Sequence, residues 1–126
     1  MSREIKFRVW EKSQDVTTEG LMWTWKEITR AKIDGRVNFP ARWIDPEDDN
    51  YIFMQFIGLQ DKDGNDIYER DIVKPQQSPR GPFLISYVDG CFILEGPLGS
   101  KHGIVTKWKP VKVLGNEFEN RELLDT

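Results

Sequence analysis

Residues 54–73 read MQFIGLQDKDGNDIYERDIV, with apolar segments on either side of an acidic turn. The run from Tyr51 to Ile57 is broken only by Gln55, which is typical of a strand covered on both faces and predicts a central element. Asp63-Gly64 and Gly64-Asn65 supply the positive φ angles that a tight hairpin turn requires. We expect Ile67 to Lys74 to pair back as the second strand of this hairpin.

Upstream, the sequence predicts a long N-terminal hairpin followed by a loop. Apolar residues alternate from Ile5 to Val9, as in a half-buried strand. Leu21 to Lys26 alternates in the same way and predicts the return strand, although Glu27 to Lys32 fits a short helix equally well. Residues 34–50 contain a turn dipeptide, two prolines and an acidic cluster, so we expect mainly loop there.

Downstream, the clearest hairpin signal in the chain is Asp89-Gly90, flanked by the segments Phe83 to Val88 and Cys91 to Glu95. Loops are expected at 75–82 and 96–103, where proline and glycine are frequent. Ile104 to Leu114 predicts a last strand, interrupted by Pro110 at an edge or bulge. Asn120 is a candidate N-cap for one helical turn that would dock Leu123 and Leu124.

Residue counts exclude several classes of site. The chain has 126 residues, which fits one domain over 1–126. A single Cys91 and a single His102 exclude an internal disulfide framework, a multi-cysteine zinc site and a multi-histidine site. No run of about 18 apolar residues occurs, and the start lacks a signal-peptide pattern. We expect a soluble, cytoplasmic protein without a cofactor, a bound metal or a membrane partner.

The small net charge of −3 hides charged blocks. Residues 1–43 carry +3, residues 45–71 carry −7, residues 72–113 carry +4 and residues 114–126 carry −3. Such alternation can place oppositely charged strands side by side within one copy, which is the favoured interpretation, or it can offer complementary patches to a second copy.

Three segments of the chain are distinctive as a set: residues 3–10 (REIKFRVW), residues 54–69 with 71–73, and residues 115–120 (GNEFEN) with 122–124 (ELL). In their order and spacing they resemble the YopX family. The resemblance spans essentially the whole chain and implies a small protein encoded by a bacteriophage or prophage. It also implies no established biochemical activity, so no catalytic residues carry over. The family pattern favours Gly where this chain has Arg70, and a positive φ there would strain Arg70 or require a differently built turn.

Tyr68 to Val73, followed by hairpin strands, also looks like the entry into a small Src-homology-3-like barrel, a shape used for binding peptides and nucleic acid. We therefore expect a mostly β, YopX-like fold with little helix. Residues 1–50 would form a long N-terminal β-hairpin and loop region. Residues 51–126 would form a small barrel of coiled antiparallel strands with a docked C-terminal turn.

The acidic residues offer no convincing catalytic or metal site. Asp61, Asp63 and Asn65 resemble the start of an EF-hand loop, which needs Gly at its sixth position and Glu at its twelfth. Here Gly64 is fourth and Ile72 is twelfth, so we expect a structural turn. The run at 47–49 fits a solvated loop, because buried unpaired charges are costly.

No nucleophile is evident either. His102 stands in a glycine-rich loop without a nucleophile motif nearby. Cys91 heads an apolar strand, which favours a buried structural thiol over a reactive one. We identify no catalytic triad and expect that the protein is not an enzyme.

The candidate binding site is basic, since no acid occurs between residues 101 and 113. Cations and an exposed aromatic ring on one surface would suit nucleic acid. On a strand, however, Trp108 points away from Lys107 and Lys109, which favours a core tryptophan and solvated lysines. The candidate residues are Arg80, Lys101, Lys107, Trp108, Lys109 and Lys112.

We expect a non-enzymatic protein that acts by protein–protein binding or self-assembly, with a homo-oligomer or a phage or host protein as partner. The charge blocks and the Trp-rich N-terminal hairpin favour self-association. A nucleic-acid-binding barrel that uses the basic last strand is the alternative. A small carboxylate-dependent hydrolase is a second and disfavoured alternative.

Overall fold

A computed structural model of the chain describes residues 4–12, 20–33, 50–76, 81–96, 99–103 and 111–124. It confirms a mostly β fold with little helix, built from two antiparallel sheets, one of which curls into a half-barrel. The described residues up to Gln55 form one compact unit, and those from Phe56 onward form another. We call them the N-terminal and C-terminal units; the single domain over 1–126 stays a prediction.

The N-terminal unit contains the expected hairpin. Strand β1 (Phe7–Glu11) pairs antiparallel with β2 (Leu21–Trp23), and on its other side with the first half of β3 (Tyr51–Gln60). The core of the unit is made of side chains from these strands and from helix α1 (Trp25–Ile33). Its members are Val9 and Ile28, with Trp23, Tyr51 and Phe53 packed against them.

Helix α1 begins inside the segment predicted as the return strand, so the expected strand Leu21 to Lys26 is too long. Thr24 supplies the reason. Its hydroxyl accepts a hydrogen bond from Glu27 N at 3.2 Å and lies 3.0 Å from Glu27 Oε1. The Thr24 hydroxyl thus caps the helix by satisfying one of its first backbone N–H groups, and it donates its own proton to the Glu27 carboxylate. An N-cap at this position favours a helix over a continued strand.

The C-terminal unit contains the half-barrel. The second half of β3 pairs with β4 (Asp66–Tyr68). The five-stranded sheet has the order β8-β7-β6-β5-β9. These strands are β5 (Asp71–Pro75), β6 (Phe83–Val88), β7 (Cys91–Glu95), β8 (Lys101–Gly103) and β9 (Val111–Asn116).

One apolar cluster fills the C-terminal unit. Val73, Phe83, Ile85 and Leu94 come from the five-stranded sheet, and Ile67 comes from β4. All five are almost fully buried. Valines of β9 and apolar side chains from the second half of β3 pack against them.

The β6–β7 hairpin matches its prediction in both boundaries and turn. Asp89 has φ of 52° and Gly90 has φ of 82°, which is the double positive φ of a two-residue hairpin turn whose twist matches its strands. The strands are paired from Val88↔Cys91 to Leu84↔Glu95.

Three further boundary predictions, all in the C-terminal unit, were wrong or incomplete. The expected strand Ile67 to Lys74 breaks at residues 69–70, because β4 pairs with β3 while β5 pairs with β6 and β9. Lys101–Gly103, expected in a loop, forms β8 because it can pair with β7. Of the expected strand Ile104 to Leu114, residues 104–110 lie outside the described residues, and β9 continues to Asn116.

The expected C-terminal turn is present as a 3-10 helix at Arg121–Leu124. Leu123 and Leu124 are half-buried there. No helix in the described segments has the length and apolar composition to cross a membrane.

Ser86 in the middle of β6 gives a first prediction. Its side chain is 3% exposed, and its hydroxyl makes no hydrogen bond within the described part of the chain. A buried hydroxyl without a partner costs free energy, so Ser86→Ala is expected to raise the free energy of unfolding by about 1 kcal/mol, measured by urea denaturation. Ser86→Thr, which keeps the hydroxyl, should bring no such gain. A loss of about 1 kcal/mol or more in Ser86→Ala would contradict the prediction.

Candidate functional site

The acidic turn at residues 61–65 is organised around one buried carboxylate. Asp61 is 7% exposed and accepts four hydrogen bonds. Its Oδ1 accepts from Asp63 N at 2.9 Å and Asn65 N at 2.8 Å, and its Oδ2 accepts from Asn65 Nδ2 at 3.2 Å and Val113 N at 3.1 Å. Four bonds occupy the acceptor capacity of a carboxylate, so none remains for a cation or a substrate proton.

These bonds also determine the charge state of Asp61. Burial by itself would raise the pKa of the carboxyl, because it penalises the charged form. The hydrogen bonds from Val113, Asn65 and Asp63 outweigh burial and hold the pKa below its ordinary value of 3.8. Asp61 is therefore an ionised structural group at neutral pH.

The same turn covers the edge of β9, the last strand of the five-stranded sheet. Val113 N donates to Asp61 Oδ2, and Lys62 N donates to Val111 O at 2.9 Å. Edge strands expose backbone groups that can pair with another chain. Residues 61–62 satisfy two of these groups on β9, as a neighbouring strand would.

A second set of contacts connects the β4–β5 turn with Glu117, the residue that directly follows β9. Arg70 has φ of 69°, so this position does require a positive φ, and arginine adopts it. Its backbone is held on both sides, since Arg70 N donates to Ile85 O at 2.7 Å and Glu117 N donates to Arg70 O at 2.9 Å. Arg70 Nη1 also lies 3.3 Å from Glu117 Oε2. Buried Asp71 completes the turn by accepting from Tyr68 N at 2.8 Å.

The last residue of β9, Asn116, is hydrogen-bonded to the turn that follows the strand. Asn116 Oδ1 accepts from Phe118 N at 3.0 Å and Glu119 N at 2.9 Å. Asn120, predicted as an N-cap, instead accepts from Asn116 N at 3.2 Å through its side-chain oxygen. A Cβ on Gly115 would collide with the Asn120 side chain, so a larger residue there would displace the oxygen that accepts from Asn116 N.

The middle and C-terminal signature segments therefore contact each other directly, through the pairing of β5 with β9. Acidic residues of both segments accept hydrogen bonds that stabilise turns. The turn of the acidic block lies against β9 of the basic block through hydrogen bonds to the β9 backbone. The interpretation of the charge blocks as oppositely charged neighbouring strands stays a prediction. No cluster of three His, Cys, Asp or Glu within the described ranges could hold a metal. The acidic run at 47–49 lies outside those ranges.

The structure also places the single cysteine and the single histidine of the chain differently from the sequence predictions. Cys91 is exposed, so the prediction of a buried thiol was wrong. It follows the hairpin turn directly, at the end of the ladder, where the core no longer covers the strand. His102 packs its ring edge-on against Phe83, with 5.6 Å between ring centroids.

The basic candidates are only partly placed. Arg80, Lys107, Trp108 and Lys109 lie outside the described residues. Lys101 and Lys112 are exposed, but they stand on β8 and β9, at opposite edges of the sheet. With three strands between them, about 19 Å of sheet separates the two edge strands. Lys112 lies instead directly opposite Lys74 of β5, which was not among the candidates.

An exposed aromatic pair was also missed. Tyr87 is 55% exposed, and its ring lies edge-on to Phe92, with 5.1 Å between ring centroids. The two residues face each other across β6 and β7. The pairing of Tyr87 with Phe92 could have been predicted from the sequence, because the two-residue turn Asp89-Gly90 fixes the register of the strands on either side of it.

Asp61 gives the second prediction. Asp61→Asn should lower the free energy of unfolding at pH 7 by about 2 kcal/mol, because an amide cannot accept all four bonds. The folded pKa lies below the ordinary one, so this stabilisation is present above the ordinary value of 3.8 and is lost as pH falls through the folded pKa. Chemical denaturation at several pH values should therefore show the two proteins converging in acid.

Asp63→Asn is the matched control for that measurement, since Asp63 is exposed in the same turn and the charge change is identical. It should cost little at any pH. Equal losses in the two variants would mean that charge, and not the bonds of Asp61, is responsible.

Arg70 gives the third prediction. Arg70→Gly and Arg70→Ala both remove the contact with Glu117, but only alanine keeps the cost of a positive φ. The glycine variant should therefore be more stable than the alanine variant by about 1 kcal/mol in thermal or urea denaturation. An alanine variant as stable as the glycine variant would contradict a left-handed residue at this turn.

Comparison with known proteins identifies the family. No curated protein compared with the chain matches it. The chain is similar in fold to the crystal structure of protein EF1440 from Enterococcus faecalis, with a TM-score of 0.54 and 23% identity over 98% of this chain and 99% of that one. The family model described as YopX protein matches residues 6–125, which include residues 6–10 of the first signature segment and all of the other two. The chain therefore belongs to the YopX protein family.

Proposed function

We propose that this YopX-family protein is a non-enzymatic accessory protein of a phage or prophage. In this proposal it acts in the bacterial cytoplasm by protein–protein binding, and its first partner is a second copy of itself. A phage or host protein is the second class of partner. The observation that carries the proposal is the aromatic pair of Tyr87 and Phe92.

The pair has the physical properties of an interface anchor. Tyr87 exposes more than half of a large side chain, yet the edge-on contact with Phe92 already orders its ring. Ordering a side chain on binding costs conformational entropy, and an ordered ring has less to lose. Tyrosine is also enriched among the residues that contribute most to binding energy, because it combines apolar area with a hydroxyl.

Further exposed apolar side chains support binding. Leu114 on β9 is 39% exposed, and Leu21 at the start of β2 is 51% exposed. Single exposed leucines are ordinary on protein surfaces, so they add to the argument without carrying it.

The chemistry of the acids supports a role without catalysis. General acids and bases need a proton position that is open to substrate. Asp61 has its acceptor capacity occupied by backbone and amide donors, and Asp71 accepts from Tyr68 N. The most buried carboxylates of the signature are thus engaged in holding turns.

Self-association gives the fourth prediction. Light scattering coupled to size exclusion, at about 100 μM protein, should give a mass above the 14.8 kDa of one chain. Tyr87→Ser should return the mass to that of one chain, because it removes the ordered ring. Lys26→Ser, an exposed change on α1, should leave the assembly intact. A wild-type monomer at this concentration, or an assembly unaffected by Tyr87→Ser, would contradict self-association through the pair.

A heterologous partner is tested with the same variants. Wild-type, Tyr87→Ser and Lys26→Ser proteins would serve as baits in nuclease-treated lysates of phage-carrying cells. A protein retained by the wild type and by Lys26→Ser, but lost with Tyr87→Ser, is the expected result. If neither this dependence nor self-association is found, the aromatic pair is not a binding surface.

A further inference from the structure

Strand β2 is an edge strand, and the register of its sheet shows which of its backbone groups point outward. Lys12 N donates to Asn50 O at 2.8 Å, so the residues opposite each other just beyond β1 and β3 form a hydrogen-bonded pair. Hydrogen-bonded and non-hydrogen-bonded pairs alternate along an antiparallel ladder. The N–H and C=O groups of Val9 and Glu11 therefore point away from β3 and toward β2.

Met22, the central residue of β2, consequently has an outward-facing backbone. Trp23 is paired with Val9 and Leu21 with Glu11, so the backbone groups of these two β2 residues point toward β1. Met22 lies between them, and its N–H and C=O point away from the sheet. Within the described part of the chain, neither group has a hydrogen-bond partner.

The other three strand edges in the described ranges have some protection. The edge of β9 is covered by residues 61–62. On β4, Tyr68 N donates to Asp71 Oδ2. Strand β8 carries exposed Lys101, a charged side chain of the kind that discourages the addition of another strand. Residues 20–25 contain no charged side chain, so β2 lacks this protection.

The side chains of β2 offer apolar contacts to an added strand. Leu21 and Trp23 lie on the same face of the sheet, as alternate residues of a strand do. Leu21 is 51% exposed, and Trp23 Nε1 donates to Glu11 Oε1 at 3.1 Å, which orients the indole. A strand added beside β2 with apolar side chains at alternate positions would contact both residues.

We propose that β2 binds an extended, uncharged segment of another protein by strand addition, with apolar side chains at alternate positions of that segment. Main-chain hydrogen bonds to Met22 supply affinity, and contacts with Leu21 and Trp23 supply specificity. A charged segment fits poorly, because its charges would lose water against these apolar side chains.

A second copy of the chain is a poorer occupant of this edge. Strand β2 has three residues, whereas a stable interface between two proteins uses roughly 20–30 residues a side. A short linear segment needs no larger surface to bind reversibly. The site is also distinct from the aromatic pair, because β2 belongs to the N-terminal unit and Tyr87 and Phe92 to the C-terminal unit.

The probe is the synthetic peptide acetyl-Thr-Val-Thr-Val-Thr-amide, titrated into isotope-labelled protein to about 2 mM and followed by NMR. The amide signal of Met22 should shift. Its hydrogen exchange should slow about three-fold or more, because a hydrogen-bonded amide exchanges only after the peptide has dissociated. The amides of Lys101 and Gly103 on β8 should not change.

Two peptides with one N-methyl group each are the matched controls. In the proposed register, the N–H of the central threonine faces Met22 O, and the N–H groups of its neighbours point away from β2. Methylation of the central threonine nitrogen should therefore abolish the shift of the Met22 amide. Methylation of the preceding valine nitrogen should leave it in place.

Substitutions in β2 test the same hydrogen bonds from the other side. Met22→Pro removes an outward N–H and no bond to β1, so it should lose peptide binding and keep the fold. Met22→Ala keeps the N–H and should bind within about two-fold of the wild type. Leu21→Pro removes a bond to β1 and should melt at a lower temperature than Met22→Pro. If Met22→Pro does not fold, the two methylated peptides decide the question on the wild type.

Four results would overturn the proposal. The first is an unshifted Met22 amide at about 2 mM peptide. The second is an equal loss of binding in the two methylated peptides, and the third is an equal shift of the amides on β8 and β2. The fourth is a Tyr87→Ser protein that still exceeds the mass of one chain and returns to it when Met22→Pro is added, which would assign the edge to a second copy.

Discussion

The bond between the carboxylate of Asp61 and Val113 N is the contact on which the organisation of the C-terminal unit depends. It joins residues 52 positions apart and brings a hairpin turn to the edge of a different sheet. With Lys62 N, it gives β9 a neighbour on the side where no strand follows. A charged group can have this role because four donors compensate for its burial. The acidity of the signature turn is thus a property of the fold.

Local turn chemistry was the most reliable guide to the fold. Asp89-Gly90 fixes both the turn and the register of β6 and β7, because its conformation depends on neighbouring residues alone. The break at Arg70 could not be located in this way, since it reflects competition between two sheets for one segment. The short strand β8 could not be located from local sequence either, because it is a strand only through its pairing with β7. The start of α1 was a different case, because Thr24 and Glu27 carry a local signal that the alternation of Leu21 to Lys26 obscured.

The surface candidates illustrate the difference between proximity in sequence and proximity in a sheet. Lys101 and Lys112 share an acid-free segment, yet the strand order separates them by three strands. Lys74 stands 38 positions before Lys112 and is its direct neighbour. No sequence pattern pairs β5 with β9, because that pairing is decided by the packing of the whole unit. Tyr87 and Phe92, in contrast, belong to one hairpin and could be paired by counting.

The 52-residue separation of Asp61 and Val113 has a consequence for the order of folding. The β6–β7 hairpin has only local contacts, and such hairpins form within microseconds. The bond between Asp61 and Val113 closes a much longer loop, and the entropic cost of closing it delays this contact relative to the hairpin. Until β9 has docked, β5 lacks one of its two neighbours, and the folding chain presents an open strand edge of the kind that pairs with other chains.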